Sequence, residues 1–261
     1  MTNQRTVDFD SFSGSYDSLR GTGMERLAPW VEETVAYAPV FANDSVIDIG
    51  CGTGRYTELF APGCSYIVGV DRSEGMLSAA VSSDRSRANY VRGNALSLPF
   101  PDRTFDCALM FMVVHNFGED ERQALLAEIY RILNDGGRLL VLTNSHARMA
   151  RSLWTHFPGF LEIDYARFPN LPTLVNDMKA AGFSTGHKSV RKKMGSIRTD
   201  DYLRKVSGKY LSTLRIMDDS TFNDGFAVFS EYVRKRFPLT MPDAMEFLLV
   251  RGKKRAGGRE E

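Results

Sequence analysis

The stretch Val46-Ile-Asp-Ile-Gly-Cys-Gly-Thr-Gly-Arg-Tyr-Thr57 constrains the fold more than any other part of the chain. A β-branched run enters three glycines, Gly50, Gly52 and Gly54, in the spacing G-x-G-x-G, and a helix-like segment follows. Strand, glycine turn and helix, in that order, are how a doubly wound α/β fold builds a nucleotide site. Glycine is needed where the chain turns with positive φ and where a ligand approaches bare backbone. The motif alone is common, so its surroundings decide.

Two further places agree with it. Ser65-Tyr-Ile-Val-Gly-Val70 reads as a second buried strand ending at Asp71, about twenty residues beyond Gly50. A carboxylate there can accept hydrogen bonds from both hydroxyls of a ribose. Asn89-Tyr-Val-Arg-Gly-Asn-Ala95 is a third run, and the Asn94 amide could read an adenine edge. At this point the chain resembles the class I S-adenosylmethionine (SAM)-dependent methyltransferases, especially the branch acting on small molecules. The resemblance runs from about Phe9 to Leu142. Leu98-Pro-Phe-Pro-Asp-Arg-Thr-Phe-Asp106 is similar to the family's connection into strand four. Met112-Val-Val-His-Asn-Phe117 is similar to its Val-Leu-His-His segment, with Asn116 replacing the second histidine. Glu128-Ile-Tyr-Arg-Ile-Leu-Asn-Asp-Gly-Gly-Arg138 resembles the passage into strand five, with Asp135 in place of the common proline. Phe12-Ser-Gly-Ser-Tyr-Asp17 resembles the family's lid sequence.

The resemblance implies a doubly wound, Rossmann-like, seven-stranded and mostly parallel sheet with helical lid insertions. It implies SAM as cofactor and S-adenosylhomocysteine (SAH) as product. Carried over residue by residue, the cofactor contacts are Tyr16, Asp48, Gly50, Gly52, Gly54, Asp71, Arg72, Met76, Asn94, Ala95 and Phe111. Among these Met76 packs on adenine, Tyr16 closes over the cofactor, and Asp48 orients the loop or meets the cofactor's ammonium through water. On the acceptor side the expected residues are Tyr16, His115, Asn144, His146, Trp154 and Arg215. His115 is the candidate general base, because an unperturbed imidazole titrates near neutrality; the competing reading is that it only caps or packs.

A chain of 261 residues accommodates one large α/β domain. The reading is a single domain over 1–252: a helical N-terminal lid (1–42), the SAM-binding core (43–144), two acceptor-side insertions (145–176 and 197–240), and a disordered tail (253–261). Strands are expected at Ser45–Ile49, Tyr66–Val70, Asn89–Arg92, Asp106–Val113, Arg138–Thr143 and Phe183–Lys193, with a last, antiparallel strand at Met245–Arg251 at or near an edge. Insertions beyond the carboxyl ends of the strands would roof the ligand crevice, which suits a small substrate better than a polymer.

Lys plus Arg number 33 against 32 Asp plus Glu, so charge does not call for a polyanionic partner. The basic run Lys188-Ser-Val-Arg-Lys-Lys193 is either a contact for RNA or an anionic substrate, or the solvated face of a strand. Arg198, Arg204 and Arg215 are surface arginines unless one of them holds a substrate carboxylate. Trp154, Phe157, Phe160 and Tyr165 are substrate walls or the first insertion's own core. Cys51, Cys64 and Cys107 have no paired spacing and read as reduced, structural thiols of a cytoplasmic protein. No metal site is expected, since the four histidines are scattered. No window reaches the length of a membrane span. The functional expectation is methyl transfer to a small organic acceptor, such as a secondary metabolite, with no nucleic-acid or membrane partner. The rivals are an RNA or protein methyltransferase, a NAD-dependent oxidoreductase, which the glycine spacing disfavours, and a non-catalytic SAM-binding module. Oligomeric state is not encoded legibly.

Overall fold

The computed structural model describes residues 8–17, 23–82 and 87–256. Seven strands form one sheet: β1 (Ser45–Ile49), β2 (Tyr66–Asp71), β3 (Asn89–Arg92), β4 (Phe105–Phe111), β5 (Leu133–Thr143), β6 (Phe183–Arg198) and β7 (Thr240–Lys254). Their order is β3-β2-β1-β4-β5-β7-β6. The strands from β3 to β5 are mutually parallel, and β7 runs antiparallel to both β5 and β6. The order reverses between β1 and β4, which places a crevice at the carboxyl ends of those two strands.

Parallel strands are covered on both faces, and that explains the apolar runs of β1, β2 and β4. Helices α1 (Met24–Tyr37), α2 (Arg55–Phe60) and α3 (Glu74–Ser82) alternate with the first strands, and α4 (Glu119–Ile132) precedes β5. On one face of the sheet Ile47, Val68 and Met110 pack with Leu125 and Ile129 of α4. On the other, Val46, Leu109 and Leu140 pack with Trp30 of α1 and Phe60 of α2. A third cluster is separate from both. It joins Trp154, Phe157 and Phe160 to Leu203, Leu214, Phe222 and Phe229. These residues belong to the two insertions, which contribute α5 (Phe160–Arg167), α7 (Thr199–Ser207), α8 (Ser212–Ile216) and α9 (Asp219–Arg236). The insertions therefore fold on each other as a lid with its own core.

Several sequence expectations are corrected. The last strand is antiparallel and near the edge as expected, with β6 outermost, but it runs over Thr240–Lys254 and not Met245–Arg251. Strands β6 and β7 pair from Phe183↔Lys254 out to Arg198↔Thr240, whereas β5 pairs with β7 only over Leu248–Lys253. The outer halves thus form a two-stranded ribbon that carries the lid, and the largely exposed side chains of β6 lack the apolar alternation of a core strand. The expected disordered tail begins too early, because Lys253 and Lys254 complete β7. Lys254 is buried, and its Nζ donates to the carbonyls of Tyr130 and Leu133 at 2.8 and 2.7 Å, satisfying the carboxyl end of α4. Residues 257–261 lie outside the described residues, as do 1–7 and 18–22 of the expected N-terminal lid. Helix α6 (Leu171–Ala180) begins where the Asn170 side chain caps it by accepting from the Thr173 N–H at 2.9 Å.

Candidate active site

Gly50, Gly52 and Gly54 have φ of +69°, +56° and +74°. The amides of Gly50 and Cys51 both donate to the Val70 carbonyl, at 2.7 and 3.1 Å, so the glycine loop is tied to the end of β2. At Gly52 an added Cβ would meet nothing within 4 Å, leaving bare backbone on the cavity side. At Gly54 it would lie 2.2 Å from the Tyr90 hydroxyl, so close packing against β3 requires glycine there. Asp71 ends β2, and its carboxylate accepts from the amides of Gly52 and Ser73, each at 2.9 Å. Burial raises its pKa, while those amides pull it back down. A carboxylate has further lone pairs after two such bonds, so it can still accept from hydroxyls.

These groups open into one cavity of ≈ 880 Å³, within the range of small-molecule sites. Its floor is the glycine loop, Asp71, Arg72, Met76, Asn94, Ala95 and Phe111. Its far walls are His115 and Asn144 after β4 and β5, and Trp154, Phe160, Asp164, Tyr202 and Tyr210 of the lid. Tyr16 and Leu27 close the N-terminal side.

The comparisons with known proteins agree with this geometry. Residues 47–141 match the family model described as a methyltransferase domain. The demethylmenaquinone methyltransferase of Symbiobacterium thermophilum is 36% identical over 146 residues, covering 52% of this chain and 57% of that enzyme. The ubiquinone/menaquinone biosynthesis C-methyltransferase UbiE of Pasteurella multocida is 34% identical over 146 residues, covering 51% and 53%. The chain thus spans little more than half the length of these curated relatives. Over residues 47–141 the chain is therefore similar to methyltransferases. Among solved structures, one from an antibiotic biosynthesis pathway of Anabaena variabilis has a TM-score of 0.69 at 20% identity, covering 86% of this chain and 96% of that one. The [4+2]-cyclase SpnF has a TM-score of 0.63 at 17% identity, covering 95% of each. At such identities they share the fold alone.

In this chain, Tyr16, Gly50, Gly52, Asp71, Arg72, Met76, Asn94, Ala95, Phe111, His115, Asn144 and Trp154 all line the cavity. Four of the residues expected at the site do not. Asp48 is buried behind the glycine loop and accepts from the Thr57 hydroxyl at 2.6 Å, so it braces the loop against α2. Gly54 packs on Tyr90. The His146 ring bonds through Nε2 to the Phe168 carbonyl at 2.8 Å and packs on Tyr165. Arg215 lies in α8 outside the lining. His115 is buried and stacks on Phe168 with centroids 4.1 Å apart. Trp154 is both core and wall, stacked between Phe160 at 4.2 Å and Phe229 at 5.1 Å, whereas Tyr165 is exposed.

The basic run resolves into two roles. Lys188 and Lys192 pair with Glu33 of α1 at 2.9 and 2.6 Å, and Arg191 faces the cavity. Arg204 pairs with Asp201 on the surface. Burial is the main cause that raises the pKa of all three thiols, Cys107 to about 12, so they stand as poor nucleophiles. Among the described residues no cluster of His, Cys, Asp or Glu could hold a metal, and no helix is long and apolar enough to cross a membrane.

Sequence reading missed Arg148 and Arg167 of the first insertion. Both line the cavity. The Arg148 Nη1 donates to Asn144 Oδ1 at 3.0 Å, and Arg167 donates to Asn116 Oδ1 at 3.1 Å. The one available signal was the pair of asparagines following β4 and β5.

Proposed function

We propose that this chain transfers the methyl group of SAM to a small organic acceptor, of the kind found in secondary metabolism, held under the lid. The observation that carries the reading is the continuity of the cavity: it joins the bare backbone at Gly52 and the Asp71 carboxylate to an aromatic chamber roofed by the two insertions. The residues present fit the cofactor, since the site offers an open glycine cradle, a carboxylate for ribose hydroxyls, and the Asn94 side chain and Met76 for the base. Bound SAM supplies a methyl group already activated by its positive sulfonium.

The chain's own work is therefore alignment and exclusion of water. Asp71 would fix the ribose, Met76 and Phe111 would flank the base and the reacting region, and the Trp154 wall would hold the acceptor against the strand ends. His115, beyond the carboxyl end of β4, is placed to take a proton from a hydroxyl or carboxylic acceptor. The three reduced thiols fit a cytoplasmic enzyme. The quinone substrates named for the relatives are one acceptor class; the family match ends at residue 141, before the lid that would choose the acceptor.

Two outcomes test the reading. Asp71→Ala is expected to weaken SAM binding by ~1.5–3 kcal/mol in calorimetry, the scale of a charge-assisted hydrogen bond; unchanged affinity would remove the ribose assignment. His115→Ala is expected to lower turnover about 10²-fold with little change in SAM affinity. A loss under about threefold would leave His115 as a packing residue, stacked on Phe168.

A further inference from the structure

Two guanidinium groups face the acceptor end of the cavity with neutral partners. Arg167 is buried and donates to Ser212 Oγ at 3.1 Å, Thr213 Oγ1 at 3.2 Å and Asn116 Oδ1 at 3.1 Å. Arg148 is partly buried and its hydrogen bond runs to Asn144 Oδ1. Neither is in an ion pair among the described residues. Arginine stays charged in a protein interior, so two fixed positive charges remain there. The nearby acids are already engaged. Glu246 pairs with Arg151 at 3.3 Å, Asp243 pairs with Arg26 at 2.6 Å, and Asp164 accepts from the Thr213 hydroxyl. Asp164 attracts both arginines, yet burial lifts its pKa to about 6 despite them. Asp164 is thus shared between two cations, and the only other carboxylate acting on Arg148 among the described residues is Glu246, which Arg151 already pairs.

Leaving charge uncompensated in a partly desolvated chamber is costly unless a ligand completes it. A guanidinium fork is also the group that matches a carboxylate best, through paired parallel hydrogen bonds. The asparagines hold each fork to the carboxyl end of a strand, where ligands of this fold lie. Trp154, Phe160, Leu211 and Met241 supply apolar wall to the same chamber.

We propose that Arg148 and Arg167 form an anion subsite, and that the acceptor is a small carboxylic acid with an apolar body. This rests on the methyltransferase reading and narrows it, because a neutral quinol-type acceptor offers the two forks isolated oxygen acceptors but neither a charge nor the paired oxygens of a carboxylate. The same subsite assigns Asn116 and Asn144 as positioning residues that aim the arginines.

The test compares acids with their neutral amides. Benzoate, 4-phenylbutanoate and decanoate, and the corresponding amides, are titrated into the full-length protein by calorimetry, with and without saturating SAH. At least one acid is expected to bind about tenfold or more tightly than its amide, and Arg148→Gln is expected to bring that ratio below about threefold. Arg167→Gln should do the same; if it fails to fold, Arg148→Gln alone decides, since that side chain is partly exposed and bonded to one neighbour. No binding by any of the acids, amides binding as well as acids, or a preference that survives Arg148→Gln would each overturn the proposal. Failure of SAH to bind would count against the cofactor reading, whereas SAH binding without acid preference would count against the anion subsite alone.

Discussion

Trp154→Ala is expected to destabilise the lid by about 3–5 kcal/mol, the usual range for removing a buried tryptophan from a packed core. The indole lies nearly parallel to Phe160 and Phe229, with interplanar angles of 13° and 1°. It joins the first insertion to α9, and with it gone Phe160 and Phe229 lose the ring they both stack on, although Phe157 still packs against Phe222 and Phe229. That cluster shares no residue with either face of the sheet. The loss should therefore appear in hydrogen exchange as faster opening of α7 and α9, with amides of β1 and β4 far less affected. A lid loss below about 1 kcal/mol, or an equal loss in β4, would show that the lid is not a separate cooperative unit.

The second large effect is a pH dependence centred on Asp48. Its carboxyl is fully enclosed, and burial, helped by the nearby Asp71 charge, raises its pKa from 3.8 to about 7 against the opposing Thr57 hydrogen bonds. Between these values the unfolded chain has released the proton and the native state still holds it. Native Asp48 thus binds more protons than unfolded Asp48, and its contribution to stability falls as pH rises from about 4 to 7. The whole shift is worth about 4 kcal/mol, at about 1.4 kcal/mol per pH unit. Asp48→Asn keeps the shape and an acceptor for Thr57 but cannot ionise. At pH 8 the variant is expected to exceed the wild type by up to about 4 kcal/mol in denaturant unfolding, and the difference should shrink toward pH 4. A difference that does not vary with pH would place an ordinary carboxylate at this position.

Asp48 also illustrates where sequence reading reaches its limit. The motif located the residue correctly at the end of β1, but a carboxylate facing the ligand and one bracing the loop from behind have the same sequence. The sheet core was legible for a physical reason: β1, β2 and β4 are buried by helices, so they are written as apolar runs. The bounds of β1 and β3 agree with expectation, and the Asp71 and Asn94 strand ends face the cavity as their spacing indicated. The outer half of β7 is half-buried against the cavity, and Pro242 and Asp243 break its apolar pattern. The outer half of β6 was not legible, because a strand exposed along most of its length carries polar residues that read as loop. Lys254 looked like tail for the same reason, and only its bonds to two helix-end carbonyls explain its burial. Arg148 and Arg167 were hidden among the 33 basic residues, since composition cannot tell an arginine held by an asparagine inside a cavity from one on the surface. Arg215, the arginine that sequence reading favoured for the acceptor, lies outside the cavity lining instead.

The central claim is that the glycine loop and Asp71 form a SAM site. It is tested most directly by titrating the full-length protein with SAM, SAH and NAD in a calorimeter. The account predicts binding of SAM and SAH with dissociation constants in the micromolar range, about −8 kcal/mol, and no heat from NAD. Binding of NAD in place of SAM, or of none of the three, would contradict it.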